Sequence, residues 1–416
     1  MSKSSLATVR PTSSLAGRVG ESRAVARFAR AILFSLLARS RGGRLTLIEE
    51  ATERRLGRGE LAATVRIHDD RTYSALLRHG SVGLGISYLE GWWDSDDVVT
   101  VIRILIRAQG PVRRTLDAVG RLASVFLDPL RRRRLRRGRH EDRRMIRAHY
   151  DVGNDLFALM LDPTMSYSCA YFARPDVTLE EASIAKIDRL AAMLELGPDD
   201  HLLEIGTGWG GLATHVARTY GCRVTTTTIS AEQFAAATQR VEANGLGDRV
   251  TVLHDDYRDL TGTYDKLVSV EMIEAVDWRE VPGYFRECAR FVRPGGRMAL
   301  QAIVIDDDSY DRAKVTTDFI KEFIFPGGSL PSVRSLLAAS ASAGWRLARL
   351  DDIGPHYAET LHRWRERFDT RRDEVTALGY DERFRRLWTL YLTYCEGAFL
   401  ERHVSDVQVL LERPLS

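Results

Sequence analysis

His201-Leu-Leu-Glu-Ile-Gly-Thr-Gly-Trp-Gly-Gly211 decides the fold class. Leu202, Leu203 and Ile205 form a brief apolar run, flanked by an acid and stopped by glycine, which reads as a buried strand. Gly206, Gly208, Gly210 and Gly211 then let the backbone turn sharply and approach a ligand with no side chain in between. Leu212, Ala213, Val216, Ala217 and Tyr220 recur at helical spacing, so the loop opens onto a helix N-terminus. Strand, glycine loop and helix begin a nucleotide-binding α/β unit. A glycine pattern alone is weak, and the flanking segments decide the matter.

Downstream, β-branched and apolar runs predict strands over 222–229, 250–254, 266–270 and 298–305. A helix over 230–243 separates the first two, and another through Tyr284 and Arg290 precedes the last, stopped by Arg293-Pro-Gly-Gly296. Strands alternating with helices imply a parallel sheet, with ligands above the strands' carboxyl ends. Two later strands follow at 345–350 and 405–411, with an arginine- and aromatic-rich helical insert at roughly 356–402 between them. Upstream, Thr178-Leu-Glu-Glu181 is a capping box that starts a helix running to about 196.

The N-terminal third differs in kind. Residues 1–20 are rich in Ser, Gly, Thr and Arg and read as a disordered tail. Residues 21–109 read as a small α+β domain. It opens on a basic helix over 23–41 with Phe28, Ile32, Leu33, Leu36 and Leu37 on one side, which packs on its own domain or lies on a membrane surface. Strands over 45–48 and 63–67 follow, then a helix from Tyr73, a glycine-rich turn, the pair Trp92-Trp93 as core anchors rather than a docking surface, and a helix over 98–106. Residues 110–148 are a basic linker, with ten arginines between Arg131 and Arg147 against Glu141 and Asp142 alone. Such a run is either a solvated face or a foothold on anionic phosphates. The remaining 149–416 carry the α/β domain.

Composition narrows the class. With 416 residues, 44% of them hydrophobic, the chain can fill a sizeable core, and its net charge is only +3. Cys169, Cys222, Cys288 and Cys395 are far apart with no CxxC pair, which argues against a disulfide framework and a zinc site. The longest early apolar run, Ala31 to Ala38, is too short to span a bilayer. The expectation is an intracellular protein with no metal and no nucleic-acid partner.

The glycine loop and the Arg293-Pro-Gly-Gly296 turn before the fifth strand are similar to those of class I S-adenosylmethionine (SAM) methyltransferases. Gly206, Gly208 and Gly210 would then admit the amino-acid end and ribose of SAM, and Asp256 and Tyr257 are placed for its adenine. The second strand lacks the usual ribose-binding acid and ends Thr227-Thr228-Ile229, so the Thr228 hydroxyl and the Gln233 amide are expected to substitute, beside Ile229.

Five separated motifs sharpen the resemblance. His149-Tyr-Asp-Val-Gly-Asn-Asp-Leu-Phe157, Tyr167-Ser-Cys-Ala-Tyr-Phe172, Leu203 to Gly211, Glu322-Phe-Ile-Phe-Pro-Gly-Gly328 and Pro355-His-Tyr357 resemble the cyclopropane fatty acid synthase family. The stretch Gly83 to Trp93 resembles the phospholipid-acting synthases rather than the shorter mycolate enzymes. The resemblance implies a class I SAM-methyltransferase sheet and methylene transfer from SAM to a cis double bond of an acyl chain. It implies SAM contacts at Tyr167 and Ser168. A bound bicarbonate would be the base, held by the backbones of Cys169 and Ile303 and by Glu274, Gln301 and Tyr357. Gln301 and Ala275 stand where many members have His; Gln donates a hydrogen bond but relays no proton. That admits a methylene- or methyl-branched product beside the expected ring. A small-molecule methyltransferase sharing the fold is a further alternative. Phe319, Ile320, Phe323, Ile324 and Phe325 read equally as core or as the wall of an acyl channel. The resemblance further implies a cytoplasmic enzyme, peripheral at the inner membrane surface, in transient contact with its phospholipid substrate; a homodimer is compatible with it.

Overall fold

The computed structural model describes residues 23–108 and 153–415. The tail before residue 23, the arginine run and His149 to Val152 therefore lie outside the described residues. The chain divides into two compact units: Met1–Arg144 with Thr317–Pro326 and Gly379–His403, and Met145–Thr316 with Gly327–Leu378 and Val404–Ser416. Two segments that the sequence reading includes in 149–416 thus belong to the N-terminal unit.

That unit holds a four-stranded sheet in the order β2-β1-β3-β4, made of β1 (Gly43–Glu49), β2 (Thr52–Arg58), β3 (Ala62–Ile67) and β4 (Trp93–Ser95). β1 and β3 lie where side-chain alternation predicts them. β2 was not expected: it reads Thr-Glu-Arg-Arg-Leu-Gly-Arg, is mostly exposed, and is a strand through its seven-residue pairing with β1 rather than through an apolar face. The expected glycine-rich turn is instead a buried helix, Ser81–Leu89. A Cβ on Gly83 would come within 1.9 Å of the Ala75 carbonyl oxygen, and one on Gly85 within 2.4 Å of the Phe319 ring. Glycine here permits close packing inside a helix. Trp93 is a core anchor whose indole donates to Ser87 Oγ at 3.1 Å, while Trp92 is half-buried beneath the Arg71 guanidinium. Phe319 is fully buried, 5.6 Å from the Tyr394 ring, so it serves as core of this unit. In the basic helix Arg23–Ala38, Ala26 and Ala29 are buried whereas Phe28 is 68% exposed, outside the face assigned to it.

The second unit is built on a seven-stranded sheet in the order β10-β11-β9-β8-β5-β6-β7. Its strands are β5 (His201–Ile205), β6 (Arg223–Thr227), β7 (Val250–Leu253), β8 (Tyr264–Val270), β9 (Val292–Ile305), β10 (Arg346–Asp352) and β11 (Val404–Glu412). β5 to β9 pair in parallel, and β11 runs antiparallel to both β9 and β10. Both faces are covered, as a parallel sheet requires. Leu203, Ile205 and Leu267 pack toward helices Val281–Phe291 and Val333–Ser342; Leu202, Val224 and Val268 pack toward Leu179–Leu194 and Gly211–Tyr220. The reciprocal capping box forms as expected, with the Glu181 amide donating to Thr178 Oγ1 at 3.2 Å and the Thr178 amide to Glu181 Oε2 at 2.7 Å. The Arg293-Pro-Gly-Gly296 turn is absorbed into β9, where it shifts the register against β8 between Tyr264 and Lys266.

Candidate active site

The carboxyl ends of β5, β6 and β8 form one rim. At β5 the chain enters the glycine loop with positive φ at Gly206 (103°), Gly208 (52°) and Gly210 (78°). A side chain at Gly211 would drive its Cβ to 2.2 Å from the Thr164 carbonyl oxygen, whereas a Cβ at Gly208 would meet nothing within 4 Å. The loop is thus closed against the protein on one side and open at Gly208 on the other. Glu204, buried just before it, accepts from Thr226 Oγ1 at 2.6 Å, and burial pushes its carboxyl up to about 8. At the end of β6, Thr228 Oγ1 donates to Gln233 Oε1 at 2.8 Å, so the two expected substitutes for the missing acid are brought together, both buried. Ile229 follows them, its carbonyl oxygen 3.3 Å from His254 Nε2. Asp256 and Tyr257 lie after β7, but the Asp256 carboxylate is engaged by Arg258, at 2.9 and 2.7 Å. Tyr257 packs edge-on against Tyr284.

Aromatic rings connect this rim to a second centre. Trp209 donates to Asn154 Oδ1 at 2.8 Å and packs on Phe157, Phe157 on Tyr167, Tyr167 on Trp364, and Trp364 on Tyr357, with centroids 4.9 to 6.1 Å apart. Ser168, beside Tyr167, accepts from the buried Lys186 ammonium at 2.9 Å.

Around Tyr357 the structure assembles every residue expected to hold a base, but on a different partner. The Cys169 amide donates to Glu271 Oε1 at 2.8 Å, Gln301 Nε2 to the same oxygen at 2.8 Å, and the Tyr357 hydroxyl to Glu271 Oε2 at 2.7 Å. The Ile303 amide donates to Glu274 Oε1 at 2.6 Å. A bicarbonate does not fit this donor set, because the chain's own carboxylates already occupy the groups expected to hold it. The Cys169 thiol is buried against the carbonyl oxygens of Ala170 and Ile353 and beside Asp406, and burial first, then the Asp406 and Glu271 charges, pushes it well up. His356 accepts from the Phe172 amide at 3.3 Å and packs on Tyr171, which makes it a tie between segments.

Three more groups belong to this centre and escape sequence reasoning. Asp406 accepts from Gln301 Nε2 at 2.9 Å, Gln408 Nε2 donates to Gln301 Oε1 at 3.0 Å, and Lys186 lies buried among the acids. Burial first, then the Glu271 and Glu274 charges, pushes Asp406 well above the usual carboxylate range. Glu274 rises to about 8 by burial and by the Glu271 charge. The signals were present: Lys186 sits on the apolar stripe of its helix with Ile187 and Leu190, and Asp406 and Gln408 alternate on one face of β11 with Val407 and Val409 on the other.

The family model described as "Mycolic acid cyclopropane synthetase" matches residues 137–409. This chain belongs to that family. Among relatives of the family, the tuberculostearic acid methyltransferase UfaA1 of Mycobacterium tuberculosis is 42% identical over 81% of this chain and 80% of its own length. The cyclopropane-fatty-acyl-phospholipid synthase of Escherichia coli is 38% identical over 85% of this chain and 89% of its own. The mycolic acid cyclopropane synthase CmaA1, solved with SAH and CTAB, superposes with a TM-score of 0.62 at 31% identity, over 65% of this chain and 98% of that one. Family membership makes the chain a SAM-dependent methyltransferase of the cyclopropane fatty acid synthase type, acting on lipids. The open glycine loop and the buried Thr228–Gln233 pair fit SAM, which supplies an electrophilic methyl on a sulfonium.

Proposed function

We propose that this enzyme transfers the methyl group of SAM to a cis double bond in the acyl chain of a membrane phospholipid and closes a cyclopropane ring. The observation that carries the substrate is coverage. The alignment with the phospholipid-acting synthase spans 360 residues and so reaches into the N-terminal unit, whereas the mycolate enzyme covers 65% of this chain. The alkene π pair bonds to the methyl carbon, the C–S pair leaves with sulfur, and a cation remains on the chain. Loss of a proton from the transferred methyl lets that C–H pair close the ring. An alkene is a poor nucleophile, so the site must exclude water and hold a base nearby; the aromatic row from Trp209 to Tyr357 supplies apolar surface for that.

A second reading, a methylene- or methyl-branched product, is supported by the methyltransferase activity for which the 42% identical relative is named and by Gln301. For the methylene branch a 1,2-hydride shift precedes loss of the same methyl proton, and the C–H pair becomes an exocyclic double bond. Incubation with labelled SAM and vesicles of cis-unsaturated phosphatidylethanolamine and phosphatidylglycerol tests both. Mass spectrometry should show one added CH₂ on the acyl chains, and no gain removes the proposal. Proton NMR then separates cyclopropyl from vinylidene signals.

Access to the bilayer is by transient peripheral contact at the inner membrane surface, through the basic linker, with its arginine run between Arg131 and Arg147, and the N-terminal region. Among the described residues no helix is long and apolar enough to cross a membrane. Vesicle binding should weaken steeply with added salt; salt-independent binding would assign the contact to an apolar surface instead.

A further inference from the structure

We propose that Glu271 is the base of this enzyme, a carboxylate carried by the chain where a base would otherwise have to be bound from solution. The identity of the proton rests on the acyl-methylation reading above; the anion site rests on geometry alone. Three donors from three different parts of the unit converge on this side chain: the Cys169 amide, the Gln301 amide group and the Tyr357 hydroxyl, all at 2.7 to 2.8 Å. A free anion would find those donors taken, the Ile303 amide turned to Glu274, and the Glu271 carboxylate beside it. Burial without free donors is costly for an anion.

The backbone supports the same reading. Glu271 sits at φ 48°, a left-handed conformation in which glycine is at ease and a glutamate is strained. Such strain persists where the surroundings over-determine it. Here they do: the Glu271 amide donates to the Gln301 carbonyl at 2.9 Å while its carboxylate is gripped at both oxygens. The Gln301 amide is itself oriented, because Gln408 donates to its oxygen at 3.0 Å and Arg189 donates to Gln408 at 3.2 Å. Its nitrogen therefore faces Glu271. Lys186 is buried beside these carboxylates, and burial, then the Glu271 and Glu274 charges, pushes Asp406 well above the usual carboxylate range. Burial also raises the Glu271 carboxyl above its usual range, against the pull of Tyr357 and Cys169, which makes it a stronger proton acceptor than an exposed glutamate.

Oε1 accepts from the Cys169 amide and from Gln301, Oε2 accepts from the Tyr357 hydroxyl, and Asp406 is hydrogen-bonded to the same carboxylate, so Oε2, with a single amide or hydroxyl donor, is the oxygen we assign to the proton. After the alkene has taken the SAM methyl, Oε2 accepts a proton from that methyl and the C–H pair forms the new carbon–carbon bond. The protonated Glu271 returns its proton to water before the next turnover.

The test uses the full-length protein in CO₂-depleted buffer with labelled SAM and cis-unsaturated phospholipid vesicles. Wild-type turnover should stay within about twofold when bicarbonate is added. Glu271→Gln keeps the shape but accepts no proton, and should lose on the order of 10²–10⁴-fold in turnover with SAM affinity unchanged. Glu271→Gly relieves the backbone and opens the anion site, so its turnover should be lost without bicarbonate and recovered with it. A wild-type rate that collapses without bicarbonate overturns the proposal, as does Glu271→Gln at wild-type turnover. An independent readout is ¹³C NMR of labelled bicarbonate, which should broaden with Glu271→Gly and stay sharp with the wild type; binding to the wild type also overturns it. Should the wild type methylate no acyl chain while this NMR contrast holds, the substrate reading fails and the built-in anion stands.

Discussion

The glycine loop and the acid centre sit on the same rim of one sheet, yet they are held by different physics. The loop is a backbone object: its shape comes from three positive-φ glycines and from the 2.2 Å that a Cβ at Gly211 would leave to Thr164. The acid centre is a side-chain object, in which buried Asp406 and Lys186 lie with half-buried Glu271 and Glu274, held by amide and hydroxyl donors. A steric site fails when atoms are added to it. An electrostatic site fails when a charge is removed or a proton moves. That difference sets what each substitution should do.

The largest effect should follow from taking away the buried cation. Lys186→Met leaves buried acids without their counter-charge, and breaking such a set typically costs about 3–5 kcal/mol; thermal melting should fall sharply while the glycine loop is untouched in sequence. A loss under about 1 kcal/mol would mean that the acids are neutral without Lys186, and the contrast between the two sites would blur. Next, Gly211→Val should weaken SAM binding by roughly 100-fold or more, about 2.8 kcal/mol by the tenfold-per-1.4 rule, read by calorimetry, because the loop must move off Thr164. Gln301→Leu should lower turnover by roughly 10–100-fold with SAM affinity held, since it removes one donor from Glu271 and leaves Asp406 Oδ2 without that partner.

The pH dependence sharpens the comparison from the loop side. Glu204 is raised from 4.5 to about 8 by burial, so folding favours its protonated form. Its contribution to stability is therefore fully present below about pH 4.5 and is lost as the pH rises through about 8. Glu204→Gln cannot ionise, so its melting temperature relative to wild type should climb steadily across that window; a flat difference would show that Glu204 ionises freely in the fold. The smallest effect belongs to an element outside both sites. Thr178→Ala removes one half of the capping box and should cost about 1 kcal/mol, with turnover unchanged.

The two sites also differ in how far a reader of the chain could have found them. The loop was legible because every feature it needs is consecutive: apolar strand, spaced glycines, apolar-periodic helix. The capping box at Thr178 was legible for the same reason. Glu271 was not singled out, although it stands three residues before Glu274, because a glutamate at a strand end says nothing of which donors will meet it. Asp406 and Lys186 lie far away in sequence, and only the β11–β9 pairing and the seating of one helix bring them in. The misread glycines of the N-terminal unit tell the same story, since Gly83 and Gly85 look like turn residues until the helix and the phenylalanine that crowd them are in place.

What the sequence determined by itself was what short-range chemistry controls: the βα order of the second unit, the glycine loop, the caps, and the residue types available above the strand ends. What only the tertiary structure decided was pairing. It placed 317–326 in the N-terminal unit's core, and it turned the donors of Cys169, Gln301 and Tyr357 onto Glu271. The physical reason is that local conformation depends on neighbours along the chain, whereas a buried charge depends on whichever groups the packing brings within about 3 Å, and those come from anywhere in it.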